Sequence, residues 1–523
     1  MAYRKFYKKQ DNTDKAPASR KVMQWSPQQL TVFNACLSEK AVAVNACAGS
    51  GKTTTLVEAV WRILDKEPKA KILLLAFNNK IKAELQERLW GKPVVVHTVH
   101  SHGYAALRDY WNNKAVKKGG KASWNIEGSA GPSQMKMAEA YIGFEPEKAN
   151  DRQELCRLVS LCKSWMVFSQ IKVKEIAEKY QIFPTSVSEE SFLNGAWEML
   201  KINHAGPSAG NTITFDDMVW IPASQDDCFV EKYDYVMVDE AQDLSLDRHS
   251  LVKKSIGKNA TIIVVGDIFQ AIYSWAGADS DSLPNIIADY SASVYPLSVT
   301  RRCGKSIVEL AKQYNEAIEA TESAHDGEIT SIEAKDILLS VKPGDAIVSR
   351  TNAPLLKLYF QLAKQRKPVC FIGKDFGGMM KGYLYGFKKG ANKARFTALD
   401  AIEAVESWYD TKCHNAMAHN KEVSPFYVDL YDTLKVVLDD LDNPVDSVDG
   451  FAEALDRCEA FVDTPSPNAI TLSSTHRSKG LEWDTVFMMA STFKSENQEE
   501  LNLNYVAITR AKNKLVLVEG TVK

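Results

Sequence analysis

An α/β fold of two parallel sheets, each interrupted once by a mainly helical insert, is the architecture this 523-residue sequence predicts. Three observations carry that expectation. Short apolar runs recur at βαβ spacing in two separate stretches of the chain. A glycine-rich loop stands between one such run and a helical pattern, and a pair of carboxylates closes another.

Taken in order, residues 1–24 hold Arg4, Lys5, Lys8, Lys9, Lys15, Arg20 and Lys21 with little apolar content, and read as a basic mobile arm. Runs at 41–44, 71–77 and 94–98 read as buried strands, with a helical pattern over 81–89. Residues 104–213 lose this rhythm and read as a helical insert. Strands resume at 235–239 and 261–267, so that 25–103 plus 214–293 make one domain. A second alternation starts near Val294 and runs through 346–350 and 369–373. It pauses, then resumes at 469–473, 486–490 and 514–519. This predicts a second domain of 294–374 plus 469–523, with a short insert at 375–468.

The second insert is electrically divided. From Lys364 to Leu399 there are nine Lys/Arg and one acid, Asp375, interleaved with Phe371, Phe376, Tyr383, Tyr385, Phe387 and Phe396. Basic residues alternating with aromatics suit a nucleic-acid backbone with bases to stack, against the plainer reading of a solvated basic face. Residues 429–463 hold eleven Asp/Glu and two Lys/Arg, which read as a solvated helical face or a guard against indiscriminate binding.

Composition bounds the function. The chain is 45% hydrophobic, enough for real cores, and its formal charge of −2 gives no global nucleic-acid signature, so such binding must come from local patches. No apolar run approaches the roughly 18 residues of a membrane span, and the charged N-terminus is unlike a signal peptide, so a cytoplasmic protein with no membrane partner is expected. Nine cysteines without a Cys-x-x-Cys pair predict free thiols rather than a zinc site or disulfides, and Cys47 inside the glycine-rich loop raises oxidative inhibition.

The chemistry starts with ACAGSGKT at 46–53. A strand before it and a helix after it make this a P-loop: the backbone of Ala48, Gly49, Ser50, Gly51 and Thr54 cradles phosphates, Lys52 neutralises them, and the Thr53 hydroxyl ligates Mg²⁺. A structural turn is the competing reading. DEAQD at 239–243 ends a second strand, where Asp239 can hold Mg²⁺ and Glu240 can orient and deprotonate water. GDIFQ at 266–270 places Gln270 to sense a γ-phosphate, while Tyr273 and Trp275 just beyond can stack on bases; packing in a core is the alternative. Arg510, reaching from the other sheet, would stabilise transition-state charge, an effect of ~10³ to 10⁵ in rate.

At this point the chain resembles the UvrD/Rep family of superfamily 1 DNA helicases. The resemblance rests on ordered motifs: SPQQ at 26–29, the P-loop, FNNK at 77–80, TVH at 98–100, DEAQD, GDIFQ with its YSW tail, LSVTRR at 297–302, HRSKGLE at 476–482 and YVAITRAK at 505–512. It implies two RecA-like domains with ATP between them and single-stranded DNA across their tops. It implies Gln29 as adenine reader, Arg302 and Arg510 as γ-phosphate arginines and Glu482 at the ribose. Phe77, Thr98, His100, Tyr273, Trp275 and His476 are implied as DNA contacts. The implied cofactors are ATP and Mg²⁺. The implied partners are single-stranded DNA and its junctions with duplex, alongside replication or recombination proteins, for a monomer or weak oligomer. Against the family's usual pattern stand Ala276 for arginine, Asn78 for threonine and Arg301 for an aromatic, and the 13 residues after Arg510 predict no appended nuclease. The expected activity is unwinding in the 3′ to 5′ direction. The alternatives are a translocase that displaces proteins with little unwinding, or a nucleotide-gated scaffold in a repair or defence complex.

Overall fold

The computed structural model describes residues 19–20, 23–117, 125–145, 148–206, 212–279, 281–391, 393–462 and 464–522, so most of the basic arm lies outside the described residues. Its described arginine, Arg20, is tied down: the guanidinium pairs with Glu58 at 2.5 Å and with Asp65 at 2.7 Å.

The first sheet contains β1 (Ala41–Ala46), β2 (Ile72–Ala76), β3 (Val94–Thr98), β4 (Tyr233–Val238), β5 (Ile256–Gly266) and β6 (Ser293–Leu297), in the order β3-β2-β4-β5-β1-β6. Every pairing is parallel. The second contains β7 (Glu328–Glu333), β8 (Ala346–Ser349), β9 (Val369–Ile372), β10 (Phe461–Val462), β11 (Ile470–Ser474), β12 (Trp483–Met489) and β13 (Ala511–Glu519), in the order β7-β13-β12-β8-β11-β9-β10. Central strands such as β2 and β8 are buried at every residue, as sheets covered on both faces demand. The predicted α/β class, with its two parallel sheets, stands.

Two boundaries move. Strand β6 belongs to the first sheet, with Val42 opposite Ser293 and Ala46 opposite Leu297, so the chain leaves the first domain after Leu297 rather than at 294. Pro296 fits this edge position, where no ladder donor is required of it. The helix Val99–Lys117 starts directly off β3, so the proposed insert boundary at 104 falls inside a helix.

The first insert is helical, with Ala149–Ser164 and Glu189–Ala205 packed around Leu155, Leu158, Phe192 and Met199. A short parallel pair, Asn125–Glu127 with Thr212–Thr214, was not anticipated. The second insert carries the helices Lys374–Ala391, Ala398–Ala418, Pro425–Leu438 and Val448–Arg457. It shares one continuous core with the second sheet, in which Tyr383, Trp408, Tyr427 and Phe451 join Ile347, Phe371 and Leu472.

That core corrects the stacking reading of the basic stretch. Phe371, Tyr383, Phe387 and Phe396 are buried, Phe376 packs on Phe461, and Tyr385 alone of the six is exposed. Gly377, Met380, Tyr383, Leu384 and Phe387 recur at helical spacing on the inward face, so the interleaving is an amphipathic helix seen edge-on. The acidic half supplies partners for the basic half through Lys364 with Asp440 at 2.7 Å and Lys381 with Glu459.

The inserts also meet each other. Glu154 accepts from Tyr383 Oη at 2.5 Å and Tyr427 Oη at 2.8 Å, while Arg157 donates to Tyr427 Oη at 3.0 Å. Lys412 donates to the Phe183 carbonyl at 3.2 Å, and Phe183 stacks on His419 with ring centres 3.9 Å apart.

Candidate nucleotide cleft and nucleic-acid track

The helix Pro27–Ser38 is started by a capping box in which Ser26 and Gln29 satisfy each other's backbone N–H groups. This buries Gln29, whose Nε2 donates to Thr55 Oγ1 at 3.1 Å beside the P-loop helix Lys52–Lys66. Between β1 and that helix, Gly49 and Gly51 take φ of +73° and +90°, a left-handed backbone open to glycine. A Cβ on Gly49 would stand 2.5 Å from Thr300 Oγ1 and 2.6 Å from Arg302 Cβ, so residues 300–302 lie across the loop at contact distance.

The loop suits a phosphate. Ser50 Oγ is buried without a hydrogen-bond partner at a helix N-terminus, whose dipole favours an anion. Thr53 Oγ1 donates to Asp239 Oδ2 at 3.1 Å, placing the hydroxyl and carboxylate that would share Mg²⁺, and Lys52 Nζ is 3.6 Å from Glu240 Oε1. Thr54 accepts from Arg88 at 3.3 Å. Two of the predicted cradle amides are already engaged: the Ala48 N–H donates to Tyr505 Oη at 3.0 Å and the Ser50 N–H to the Cys47 carbonyl at 3.2 Å.

Asp239 and Glu240 sit where β4 runs out, and Glu240 takes φ +53°, a costly conformation for a non-glycine residue that is characteristic of functional sites. Burial and the charge of Glu240 push Asp239 up to about 7. Burial would also raise Glu240, but Lys52 and then Lys479 pull it down to about 2. A divalent cation at Thr53 and Asp239 would restore the ionised aspartate, and Glu240 is already the ionised partner a water-activating base must be. Gln270 is buried, with its Nε2 donating to Asp267 at 2.6 Å.

The facing wall comes from the second domain. Arg302 Nε donates to Glu482 at 2.7 Å and its Nη1 to the Thr509 carbonyl at 3.1 Å. Glu482, predicted at the ribose, is thus held by an arginine predicted at the γ-phosphate. Arg510 is fully buried and donates to the carbonyls of Val506 at 2.8 Å and Leu481 at 3.0 Å. Burial and the neighbouring Arg302 push its pKa down to about 9. A second cation beside it, and backbone carbonyls rather than carboxylates as acceptors, leave this guanidinium short of counter-charge. Arg301, where an aromatic was expected, donates to Gln29 Oε1 at 3.4 Å.

Beyond Gln270 the predicted stacking residues converge. Phe77 stacks on Tyr273 with centroids 5.7 Å apart and planes at 23°, Tyr273 lies 6.3 Å from His476, and Trp275 meets His476 edge-on at 5.8 Å. Trp275 is 41% exposed, offering a face to solvent. His476 is kept neutral, its pKa pushed down to about 3 by burial and then by Arg350. Thr98 and His100 are not part of this cluster. Thr98 is buried and exchanges hydrogen bonds with Ser101 at the start of the next helix, while His100 is half-buried, with burial and Arg248 lowering it to about 4.

Sequence reasoning missed Lys479. Its Nζ leaves the second domain to donate to Asp243 at 2.6 and 2.8 Å and to the Gln270 carbonyl at 2.6 Å, and it lies 5.1 Å from the Tyr273 ring centre. One ammonium thereby touches both the nucleotide-facing and the aromatic segments. A lysine among basic neighbours at 476–480 carries no sequence signal for such a cross-domain bond. Tyr505 and Asn315, which meet the P-loop from the second domain, were equally silent.

Residues 25–291 match the UvrD/REP helicase N-terminal domain, and residues 469–518 match the UvrD-like helicase C-terminal domain. The chain is similar to the F-box DNA helicase protein 1 of Schizosaccharomyces pombe, at 24% identity over 92% of this chain and 56% of that protein. It is 25% identical to a probable DNA helicase II homolog of Mycoplasma capricolum over 53% of this chain and 39% of the relative. With the ATP-dependent DNA helicase PcrA of Staphylococcus epidermidis it shares 22% identity, over 93% and 82%. The chain therefore spans little more than half the length of the fission-yeast relative. Since the N-terminal domain match alone covers more than half of its residues, the protein belongs to the UvrD/Rep helicase family.

Proposed function

We propose that this protein is an ATP-driven motor that moves on single-stranded DNA in the 3′ to 5′ direction and couples hydrolysis to unwinding in replication, repair or recombination. The observation that supports it best is the shared segment 266–277, which ends in the cleft at Gln270 and in the aromatic cluster at Tyr273 and Trp275. The second-domain residue Asn502 donates to the carbonyls of Ile268 and Ala271 at 3.3 and 2.9 Å, and the first insert's Tyr180 donates to Ser274 at 2.9 Å, so motion of either neighbour reaches both ends.

Lys52 and the loop amides bind and neutralise the phosphates, with Thr53 and Asp239 holding Mg²⁺, which supplies further charge neutralisation when bound. Glu240 takes the proton of the attacking water. Arg302 and Arg510 exchange backbone carbonyls for the γ-phosphate as the two walls approach, so hydrolysis follows closure. Closure then shifts Phe77, Tyr273, Trp275 and His476 relative to one another, and each base they stack contributes ~1–3 kcal/mol, enough to grip without trapping. The named activities of the relatives, DNA helicases in each case, favour DNA as the track. A cytoplasmic, nucleoid-associated location follows from that substrate.

Strand separation on matched duplexes with 3′ or 5′ single-stranded tails tests the proposal. With ATP and Mg²⁺, only the 3′-tailed duplex should open, and Lys52→Ala should abolish opening. If neither opens while single strands still stimulate hydrolysis, the reading passes to a translocase that clears proteins from DNA, which the docking of the second insert into one core with its sheet would favour.

A further inference from the structure

We infer that Tyr505 is a positioning residue for Arg510, so that the P-loop itself fixes where this arginine stands. Tyr505 is fully buried on the helix Gln498–Ile508, five residues before Arg510. Its Oη accepts the Ala48 N–H at 3.0 Å and Asn315 Nδ2 at 3.3 Å, and the same Nδ2 reaches Cys47 Sγ at 3.4 Å. Asn315 is also buried, and its Oδ1 accepts from the Ala317 N–H at 3.1 Å, which fixes the carboxamide orientation. Two second-domain side chains therefore grasp two successive P-loop residues.

The contact continues to the arginine. The Tyr505 carbonyl accepts from Thr509 Oγ1 at 2.8 Å, and Thr509 Oγ1 accepts from Arg510 Nη2 at 3.2 Å. A hydrogen-bonded path thus runs from the P-loop amide through the phenol and one turn of backbone to the guanidinium. The Tyr505 carbonyl also accepts the Thr509 N–H at 3.1 Å, and the Ala507 carbonyl the Arg510 N–H at 3.2 Å, so the last helical turn and the turn after it hold the register between phenol and guanidinium. Packing does not require the hydroxyl, since phenylalanine would fill the same apolar cluster of Ile307, Val308, Ile318 and Leu515. Its specific contribution is to pair a buried P-loop N–H that would otherwise be left unsatisfied.

The inference rests on the role proposed for Arg510, and its test separates the two. Steady-state ATP hydrolysis with saturating single-stranded DNA, affinity for a fluorescent ADP, and thermal melting are measured on the full chain and on Tyr505→Phe, Arg510→Ala and the double variant. Loss of one hydrogen bond should lower kcat about tenfold in Tyr505→Phe. ADP affinity should stay within about twofold, because the phosphate cradle is intact. The double variant should be no slower than Arg510→Ala alone, since the phenol acts only through the arginine. Asn315→Ala, which leaves the phenol in place, should show the same pattern more weakly and serves if Tyr505→Phe fails to fold. Multiplicative losses in the double variant, or a fall in ADP affinity matching that in kcat/KM, would overturn the inference. An unchanged kcat in Arg510→Ala would remove the arginine's role and the inference together; a crippled Arg510→Ala beside a normal Tyr505→Phe would remove the inference alone.

Discussion

The two halves of the molecule meet at the cleft and again between the inserts, and buried charge serves opposite ends in the two places. Across the cleft, charged groups rest on substitutes: Arg510 on two backbone carbonyls, Arg302 on Glu482 and another carbonyl, Lys52 on Glu240. Each could exchange its substitute for a phosphate oxygen. Between the inserts, Glu154 accepts from two phenols with Arg157 and Lys412 close by, so this buried carboxylate already has its counter-charges and donors. One interface is built to change partners and the other to keep them.

Substitutions at matched carboxylates should separate these roles most sharply. Glu240→Gln removes the proposed base and should lower hydrolysis by about 10² to 10⁴ while leaving the melting temperature unchanged or higher. Arg510→Ala should cost ~10³ to 10⁵ in DNA-stimulated turnover. Glu154→Ala strands Arg157 and Lys412 in a buried site and should destabilise the fold by about 3–5 kcal/mol, read by denaturant unfolding. The folded fraction of that variant should retain the wild-type kcat. A Glu154 variant that folds normally but hydrolyses slowly would break the comparison, because the insert contact would then be part of the engine.

Acidification probes the same contrast. Burial alone would raise Glu154, but Lys412, Arg157 and the two phenols outweigh it and hold the carboxyl below its ordinary value. Its stabilisation is therefore present above the unfolded pKa and is lost only as pH falls through the depressed folded value. Asp243, partner of Lys479, is raised to about 6 from 3.8, chiefly by burial. The folded chain takes up this proton near pH 6, before the unfolded chain does, so the cost of the buried charge is full at pH 7 and relieved as pH falls through 6. Between pH 7 and 5 the wild type should gain an increment of melting temperature that Asp243→Asn lacks and Glu154→Gln keeps. Identical profiles for all three would show that Asp243 titrates normally.

How much of this was legible in the sequence divides along a physical line. The strands and the glycine loop were readable because apolar periodicity and glycine conformation are local properties, and the fold brings together the residues proposed for nucleotide, Thr53 with Asp239 and Lys52 with Glu240, whose types and spacing phosphate chemistry suggests. The grip of Lys479 on Asp243, the Tyr505 contact with Ala48 and the Glu154 node join residues far apart in the chain, and no local pattern encodes them. Strand β6 was assigned to the second alternation because an edge strand with a proline and only one fully buried residue carries no local signal of which sheet it joins. The aromatic and basic stretch at 364–399 failed for a related reason. Composition cannot tell a stacking platform from the two faces of one helix, and burial decides it.

The smallest expected effect tests that last distinction. Trp275 presents an exposed ring beside His476, whereas the equally exposed Tyr385 stands alone on the outer face of a helix whose other aromatics are in the core. Trp275→Ala should weaken binding of a short single-stranded oligonucleotide by ~1–3 kcal/mol, with nucleotide affinity unchanged. Tyr385→Ala should change neither. The oligonucleotide must be too short to span both residues, and fluorescence anisotropy at two salt concentrations separates stacking from phosphate contact, since loss of a stacked base lowers affinity without changing the salt slope. Equal losses at Trp275 and Tyr385 would extend the track over the second insert. A loss at Tyr385 alone would place it there and leave the aromatic cluster above the cleft as packing.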